Sequence, residues 1–406
     1  MKRQTEGLLR VVKYQVFGGE KPSIRDEDVS DILREAKAQT VFLSAFPFLK
    51  GKLQKTDLSA YLRQQDFFLG EVICNTNNFM EHEELHRLMT ENRIPYCTLK
   101  GMASAYYYPE ASLRAMGDVD FLVREADFDR AKQAILRAGF SVDHGDDDSG
   151  KHIAFHRAPR SVWEQHRSFD TPESALGEQI AKEIDTVIDT AEQITLDGAT
   201  CMIPDAYHHG LIMLLHVIAH LTSEGIGLRH LCDWAVFAEK LDSAEFKRLF
   251  ESKLRRFGLW RFAQILTLVS EKYLGISHKA WAEQADISEA MLEAVMEDIL
   301  SGGNFGKKDM NRYREIKYIS NRGEGTVDNK NVLRQGIFTL NQKVYRDYHW
   351  IDKRRLFLPV GWIAEGGKYI GLLITGKRKN QNTAAMLKEA SSRKELYSRM
   401  RLFEPE

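Results

Sequence analysis

Two aspartates one residue apart, Asp118 and Asp120, open the segment Asp118-Val119-Asp120-Phe121-Leu122-Val123. The segment starts as a period-2 alternation and then turns wholly apolar, as in a buried strand. Residues i and i+2 of a strand point to one face, so the two carboxylates stand side by side at a strand end. Like charges that close repel unless a divalent cation lies between them. Paired hard oxygen ligands suit Mg²⁺ or Mn²⁺, which keep waters and share a substrate's phosphates. Such a pair is the protein half of a two-metal phosphoryl-transfer site. Upstream, the short β-prone run Ile94–Leu99 ends at Lys100-Gly101. Gly101 lets backbone approach a ligand closely, and the helix that follows would aim free N–H groups at an anion. Lys100, Ser104 and Arg114 lie at this turn or on the loop after it and are candidate phosphate contacts. Arg114 can equally be the salt-bridge partner of an aspartate. D-x-D by itself is a common strand-end turn. The ordered combination strand–Lys–Gly–helix–loop–strand is what points to phosphoryl transfer.

These residues need elements to hold them. Residues 26–46 and 57–92 read as helices, with Pro47 and Gly51 as stops between them. In the first, Val29, Ile32, Leu33, Ala36 and Leu43 share a face. In the second, Leu58, Leu62, Phe67, Phe68, Val72 and Ile73 make a broad apolar face that Leu85 and Leu88 extend. After the aspartate strand, Glu125–Ala138 is an amphipathic helix closed by Gly139. Asp143–Gly150 is an acidic loop, and residues 151–157 and 161–169 alternate as a hairpin around Ala158-Pro159. A helix at about 173–193, short strands at about 194–203 and a break at Pro204 follow. Residues 205–300 are almost all helical, 301–330 read as a linker, and helical pieces are expected at 361–375 and 383–401. The expected organisation is a helical region over 1–93, a mixed core carrying the motifs over 94–204, a helical domain over 205–300, and a linker with a basic helical tail over 301–406.

The whole chain has 406 residues, 57 Lys+Arg against 58 Asp+Glu, and 43% apolar residues. This is a globular composition, ample for a core without disulfides or a structural metal. A formal net charge of −1 excludes wrapping nucleic acid by bulk charge. The charge is uneven: residues 351–406 hold twelve lysines and arginines against six acids, a basic tail able to meet an anionic partner. Cys74, Cys97, Cys201 and Cys232 form no C-x-x-C pair, so reduced thiols are expected. No segment reaches the roughly 20 apolar residues of a spanning helix, and no signal-peptide pattern opens the chain. A soluble, cytoplasmic protein is expected.

The quoted residues resemble a known family. Leu99-Lys100-Gly101, then Tyr107-Tyr108-Pro109, then Leu113-Arg114-Ala115-Met116-Gly117-Asp118-Val119-Asp120-Phe121-Leu122-Val123 is similar to the core of the uncharacterised nucleotidyltransferase family. Trp163-Glu164-Gln165-His166 resembles its segment in which an acid precedes His by two. Leu214-Leu215-His216, His220-Leu221, Gly227-Leu228-Arg229 and Cys232-Asp233 resemble its later helical motifs, the first one residue tighter here. The motifs cover roughly residues 94–240. The resemblance implies the DNA polymerase β-like nucleotidyltransferase fold, an α/β (α+β) architecture with a small mixed sheet, here flanked by helical N-terminal and C-terminal regions. It implies Asp118 and Asp120 as catalytic metal ligands and Glu164 as the third carboxylate, with Lys100, Gly101, Ser104 and Arg114 at the nucleotide phosphates. By alternation Glu164 and His166 share a face of their strand, consistent with that assignment. One departure is the turn, where Gly101 is followed by Met102 and Ala103 and not by Gly or Ser.

The function implied is Mg²⁺- (or Mn²⁺-) dependent transfer of NMP from an NTP to an acceptor hydroxyl by a two-metal mechanism, with the acceptor unidentified. The alternatives are a catalytically weak or inactive nucleotidyltransferase-like binding or scaffold protein, and a toxin–antitoxin-type protein that nucleotidylates a partner. Other polar signals read more plainly. His216 and His220 are expected as hydrogen-bonded core histidines, and Arg229–Asp233 as an ordinary i, i+4 ion pair, with contact of Arg229 to the nucleotide as the lesser alternative. Lys151-His152 reads as a solvated loop end or a reach toward the active face, and at least one of Tyr106, Tyr107 and Tyr108 as core.

Overall fold

The computed structural model describes residues 1–142, 152–158, 161–283, 286–308, 312, 344, 358–362, 364 and 383–406, the stretch 383–390 in backbone only. The acidic loop 143–150, Lys151, Pro159 and most of the expected linker and of the 361–375 helix lie outside these residues. Residues 1–313 and 395–406 form one compact unit, and 314–394 a second.

The first unit opens with α1 (Arg3–Phe17), α2 (Val29–Ala38), α3 (Phe42–Thr56) and the 34-residue α4 (Leu58–Glu91). Two expectations are corrected here. The break falls at Gln39–Val41, where Thr40 takes φ +54°, and α3 runs through both Pro47 and Gly51. Burial of Phe42, Leu43, Ala45, Phe46, Leu49 and Leu53 holds that helix despite the hydrogen bond Pro47 cannot make. The broad apolar face of α4 is also not core: Leu58 and Ile73 are each 59% exposed, and Leu62, Phe67 and Val72 are exposed too. The buried stripe of α4 lies further along and is partly polar, with Asn75, Asn78, Phe79, His82, Leu85 and Met89.

A five-stranded mixed sheet follows, in the order β1-β2-β5-β4-β3. Its strands are β1 (Tyr96–Thr98), β2 (Val119–Val123), β3 (Ser141–Val142), β4 (His152–Arg157) and β5 (Ser161–His166). β2 and β5 run parallel and every other neighbouring pair is antiparallel. Between β1 and β2 lies the short α5 (Met102–Ala105), and α6 (Phe128–Arg137) follows β2. One sheet face is apolar: Val119, Phe121, Val123, Phe155 and Trp163 pack with Leu85 and Met89 of α4 and Phe128, Ala131 and Ile135 of α6. The alternation leaves Asp120, Glu164 and His166 on the other face. The fold is thus the mixed α+β architecture expected of a nucleotidyltransferase.

Helices α7 (Ala175–Ile184) and α8 (Val187–Thr190) lead to a two-stranded hairpin, β6 (Glu192–Leu196) and β7 (Ala199–Ile203). It turns on Asp197-Gly198, both with positive φ, as a tight two-residue turn requires. Then come α9 (Ala206–Leu221), α10 (Leu228–Lys240), α11 (Ser243–Phe246), α12 (Ser252–Arg256), α13 (Trp260–Leu274) and α14 (Glu289–Gly302). Their apolar faces join α1–α3 in the largest core cluster. The final helix α15 (Thr383–Met400) contributes Leu396 and Met400 to that core. Among the described residues no helix is long and apolar enough to cross a membrane.

Candidate functional site

The parallel register of β2 and β5 sets Asp120 opposite Glu164 and Leu122 opposite His166. Two segments more than forty residues apart thereby bring two carboxylates and an imidazole to one patch of the open sheet face. Donor atoms of Asp120, Glu164 and His166 all lie within 4.8 Å of one another. His166 Nε2 is 3.3 Å from Asp120 Oδ1 and 3.6 Å from Glu164 Oε2. Asp118, just before β2, is more exposed, and it lies outside that close group, where the sequence placed it as a metal ligand. His166 takes its place among the closest donors. Two carboxylates with an imidazole fit a divalent cation, and the nitrogen donor broadens the choice beyond Mg²⁺ toward Mn²⁺.

The Lys-Gly turn faces these acids. Lys100 Nζ donates to Asp120 Oδ1 at 2.8 Å. Gly101 sits at φ +59°, a backbone conformation that side-chain-bearing residues rarely adopt. Burial pushes the Asp120 carboxyl up, but Lys100 and the His166 hydrogen bond outweigh it and hold the group well below the usual carboxylate range. Asp118 goes the other way: burial raises its pKa, and Asp120 and Glu164 add repulsion that Lys100 and Arg229 only partly offset. His166 is raised, because hydrogen bonds to Asp120 and Glu164 exceed the cost of its burial. The two aspartates, one residue apart, are therefore electrostatically distinct, with ionisation favoured at Asp120 and disfavoured at Asp118.

A cleft of about 140 Å³, partly open to solvent, joins these groups to the helical region. Lys100, Gly101, Ser104, Arg114, Asp118 and Asp120 line one side. His216 of α9, Arg229, His230 and Asp233 of α10 and the aromatic ring of Phe305 line the other. Glu164 is not among the lining residues, although its charge bears on Asp118.

Arg114 is engaged within the protein. Its Nε and Nη2 donate to the two oxygens of Asp233, each at 2.8 Å, and the Tyr108 hydroxyl donates to Oδ1 at 2.8 Å. The expected Arg229–Asp233 pair does not form. The Arg114 fork covers both oxygens of Asp233, and Arg229 instead donates to the Ala115 carbonyl at 3.4 Å and lies over the Phe305 ring. Nor do His216 and His220 bond to each other: their rings meet edge to face at 4.4 Å, and His216 fronts the cleft. Burial, with Lys100 next, holds His216 well below the ordinary imidazole value, so it is neutral at pH 7. Tyr107 and Tyr108 are buried and Tyr106 is 47% exposed, so two of the three tyrosines belong to the core. His152 stacks on His166 at 5.2 Å, which turns it toward the carboxylate face.

Sequence reasoning missed the residues that pin the loop before Asp118. Asn75 of α4 donates to the Arg114 carbonyl at 2.8 Å and accepts from the Met116 N–H at 2.9 Å. One turn on, Asn78 donates to the Gly117 carbonyl at 2.6 Å. The available signal was two asparagines three apart inside an otherwise helical run, residues that favour caps and turns over helix interiors. Residues 25–275 match a family described as uncharacterised nucleotidyltransferase, a span that begins in the N-terminal helices and exceeds the 94–240 marked by motifs. No curated protein and no solved structure matches the chain.

Proposed function

The chain belongs to the uncharacterised nucleotidyltransferase family, and from that premise we propose that it transfers NMP from an NTP to an acceptor hydroxyl in an Mg²⁺-dependent reaction. The observation that carries the reading is the Asp120–Glu164 register, with Asp118 and Lys100 beside it. Asp120 and Glu164, with Asp118 or His166, would hold the divalent ion, which supplies charge neutralisation of the phosphates and acidifies the acceptor hydroxyl. Lys100 and the Gly101 backbone bind the triphosphate, and Ser104 lies within reach of it. The acceptor oxygen forms its bond to the α-phosphorus as the bond to the bridging α–β oxygen breaks, and pyrophosphate leaves. The hydroxyl proton passes to Glu164 acting as base. On this reading Lys100, which pairs with Asp120, turns to the phosphates when the nucleotide binds.

The Lys100–Asp120 pair also supports a second reading, a nucleotide-binding module without turnover, because an ammonium satisfies the carboxylate where a catalytic ion would. The Met102-Ala103 pair after Gly101, buried and not open to phosphate, points the same way. Incubation with each α-labelled NTP, Mg²⁺ and cell extract separates the two. Label transferred to an acceptor and lost in Asp120→Asn supports the enzyme. Nucleotide binding without any transfer supports the module.

A further inference from the structure

We infer that Arg229, and not Arg114, is the guanidinium that grips the triphosphate of the bound nucleotide, an inference that rests on the nucleotidyltransferase reading. Both arginines line the cleft. Arg114 has spent its fork on Asp233. Arg229 has not: its Nε is buried with no acceptor, and its only side-chain hydrogen bond among the described residues is the long one to Ala115. No carboxylate of the described residues lies within salt-bridge distance of it. Burial, and then the neighbouring Arg114, lower its pKa, but only to about 10, so it stays charged at neutral pH. Arg229 is thus a partly buried cation with no salt-bridge partner among the described residues: Asp233 and Asp120 act on it only at longer range, so its desolvation is incompletely offset unless a ligand supplies a closer counter-charge.

The surroundings narrow what that ligand is. The first turn of α10 is not free to bind an anion through its backbone, because Gln39 takes the Leu228 N–H at 3.0 Å and the Arg229 N–H at 3.3 Å. The same contacts fix the Cα of Arg229, so the side chain alone faces the cleft. His216 and His230 on this wall are held neutral by burial first and by neighbouring charges next, and add no competing charge. Asp118 and Asp120 front the cleft with acids that attract cations, and Asp233 is already closed by Arg114 and Tyr108. A planar fork opposite such acids suits two non-bridging oxygens of a phosphate chain, whose remaining charge a divalent ion held by the acids would offset. The chemical class is therefore a polyphosphate: the β- and γ-phosphates of an NTP, or pyrophosphate.

The test is calorimetric titration of the full chain and of Arg229→Gln and Arg229→Lys with inorganic tripolyphosphate and with each NTP, all with Mg²⁺, alongside thermal unfolding. The wild-type chain should bind both kinds of ligand. Arg229→Gln should bind at least tenfold more weakly, and Arg229→Lys should fall between, keeping the charge and losing the fork. Without ligand, Arg229→Gln should unfold at the same or a higher temperature, since an unpaired enclosed charge has been removed. Wild-type binding of NTP with equal binding by Arg229→Gln overturns the inference and leaves the nucleotidyltransferase reading intact. A lower unfolding temperature of both ligand-free variants overturns it too, in favour of a structural arginine. Failure of the wild-type chain to bind any NTP or tripolyphosphate overturns that reading and the inference together.

Discussion

The guanidinium of Arg114 and the carboxylate of Asp233 meet in two parallel hydrogen bonds of 2.8 Å, both groups buried. They are more than a hundred residues apart, one on the loop that delivers Asp118 to the cleft and the other on α10. Tyr108, from the end of the α5 turn, completes the junction by donating to the same carboxylate. Burial, then Asp233, holds the Tyr108 hydroxyl well above its ordinary pKa, so it remains a donor at any working pH. The pair locks the sheet's acid edge to the helical wall of the cleft.

Breaking that pair from one side leaves an enclosed charge uncompensated. Asp233→Ala should destabilise the chain by about 3–5 kcal/mol, read as a fall in the urea midpoint. Unchanged stability would mean the junction is not buried in solution.

Asp118→Asn should act in the opposite sense on stability. Burial, Asp120 and Glu164 raise the folded-state pKa of Asp118 above its unfolded value. Ionisation therefore opposes folding, a penalty absent below about pH 4 and fully present above the folded pKa. At neutral pH, without ligand, the variant should melt higher than the wild type, with the gain disappearing in acid. Transfer activity should be lost at the same time. A melting temperature that falls at pH 7 would show that the aspartate is a structural anion.

Asn75→Ala should loosen the acid edge without touching it. It removes the acceptor of the buried Met116 N–H and the donor to the Arg114 carbonyl. The cost should be about 1–3 kcal/mol in chemical denaturation. Nucleotide transfer should fall in turnover more than in nucleotide affinity, because the displaced group is the Asp118 loop. Equal effects on both would place Asn75 in ordinary folding stability alone.

Asp205 caps α9, accepting from the His208 N–H at 2.9 Å and pairing with its ring Nδ1 at 2.8 Å. Burial raises its pKa, but the bonds to His208 and Thr190 dominate and lower it to about 2. A depressed carboxyl stabilises above its unfolded pKa, and that contribution is lost as pH falls through about 2. Asp205→Ala should therefore cost about 1 kcal/mol at pH 7. The difference between variant and wild type should shrink in acid titrations followed by circular dichroism. A difference that stays undiminished as the pH falls from 7 to 2 would assign the effect to packing.

Much of the site was legible in residue order. The D-x-D strand, the Lys-Gly turn, the helix closed by Gly139 and the hairpin partner β5 follow from periodicity and turn chemistry, which are local. The face shared by Glu164 and His166 follows from strand alternation. The exposed stripe of Leu58, Leu62 and Ile73 was misread because a periodic apolar face says that a helix can be buried, not what covers it. Thr40 at φ +54° ended a helix where no proline or glycine marked it, because packing of the flanking apolar faces fixed the corner.

The sequence by itself determined the family, the strand that carries the two aspartates and the turn that faces them, since these depend on residue types a few positions apart. Only the tertiary structure decided which partners the charges take. It set Asp120 against Glu164 and His166, gave Asp233 to Arg114 and left Arg229 without a direct salt-bridge partner among the described residues. Arg229 and Asp233 stand four apart, the spacing of a helical ion pair, yet a guanidinium from a distant loop covers both oxygens of Asp233. Local spacing sets which groups are able to meet. Burial and long-range register, through desolvation and the geometry of a bidentate fork, set which of them do.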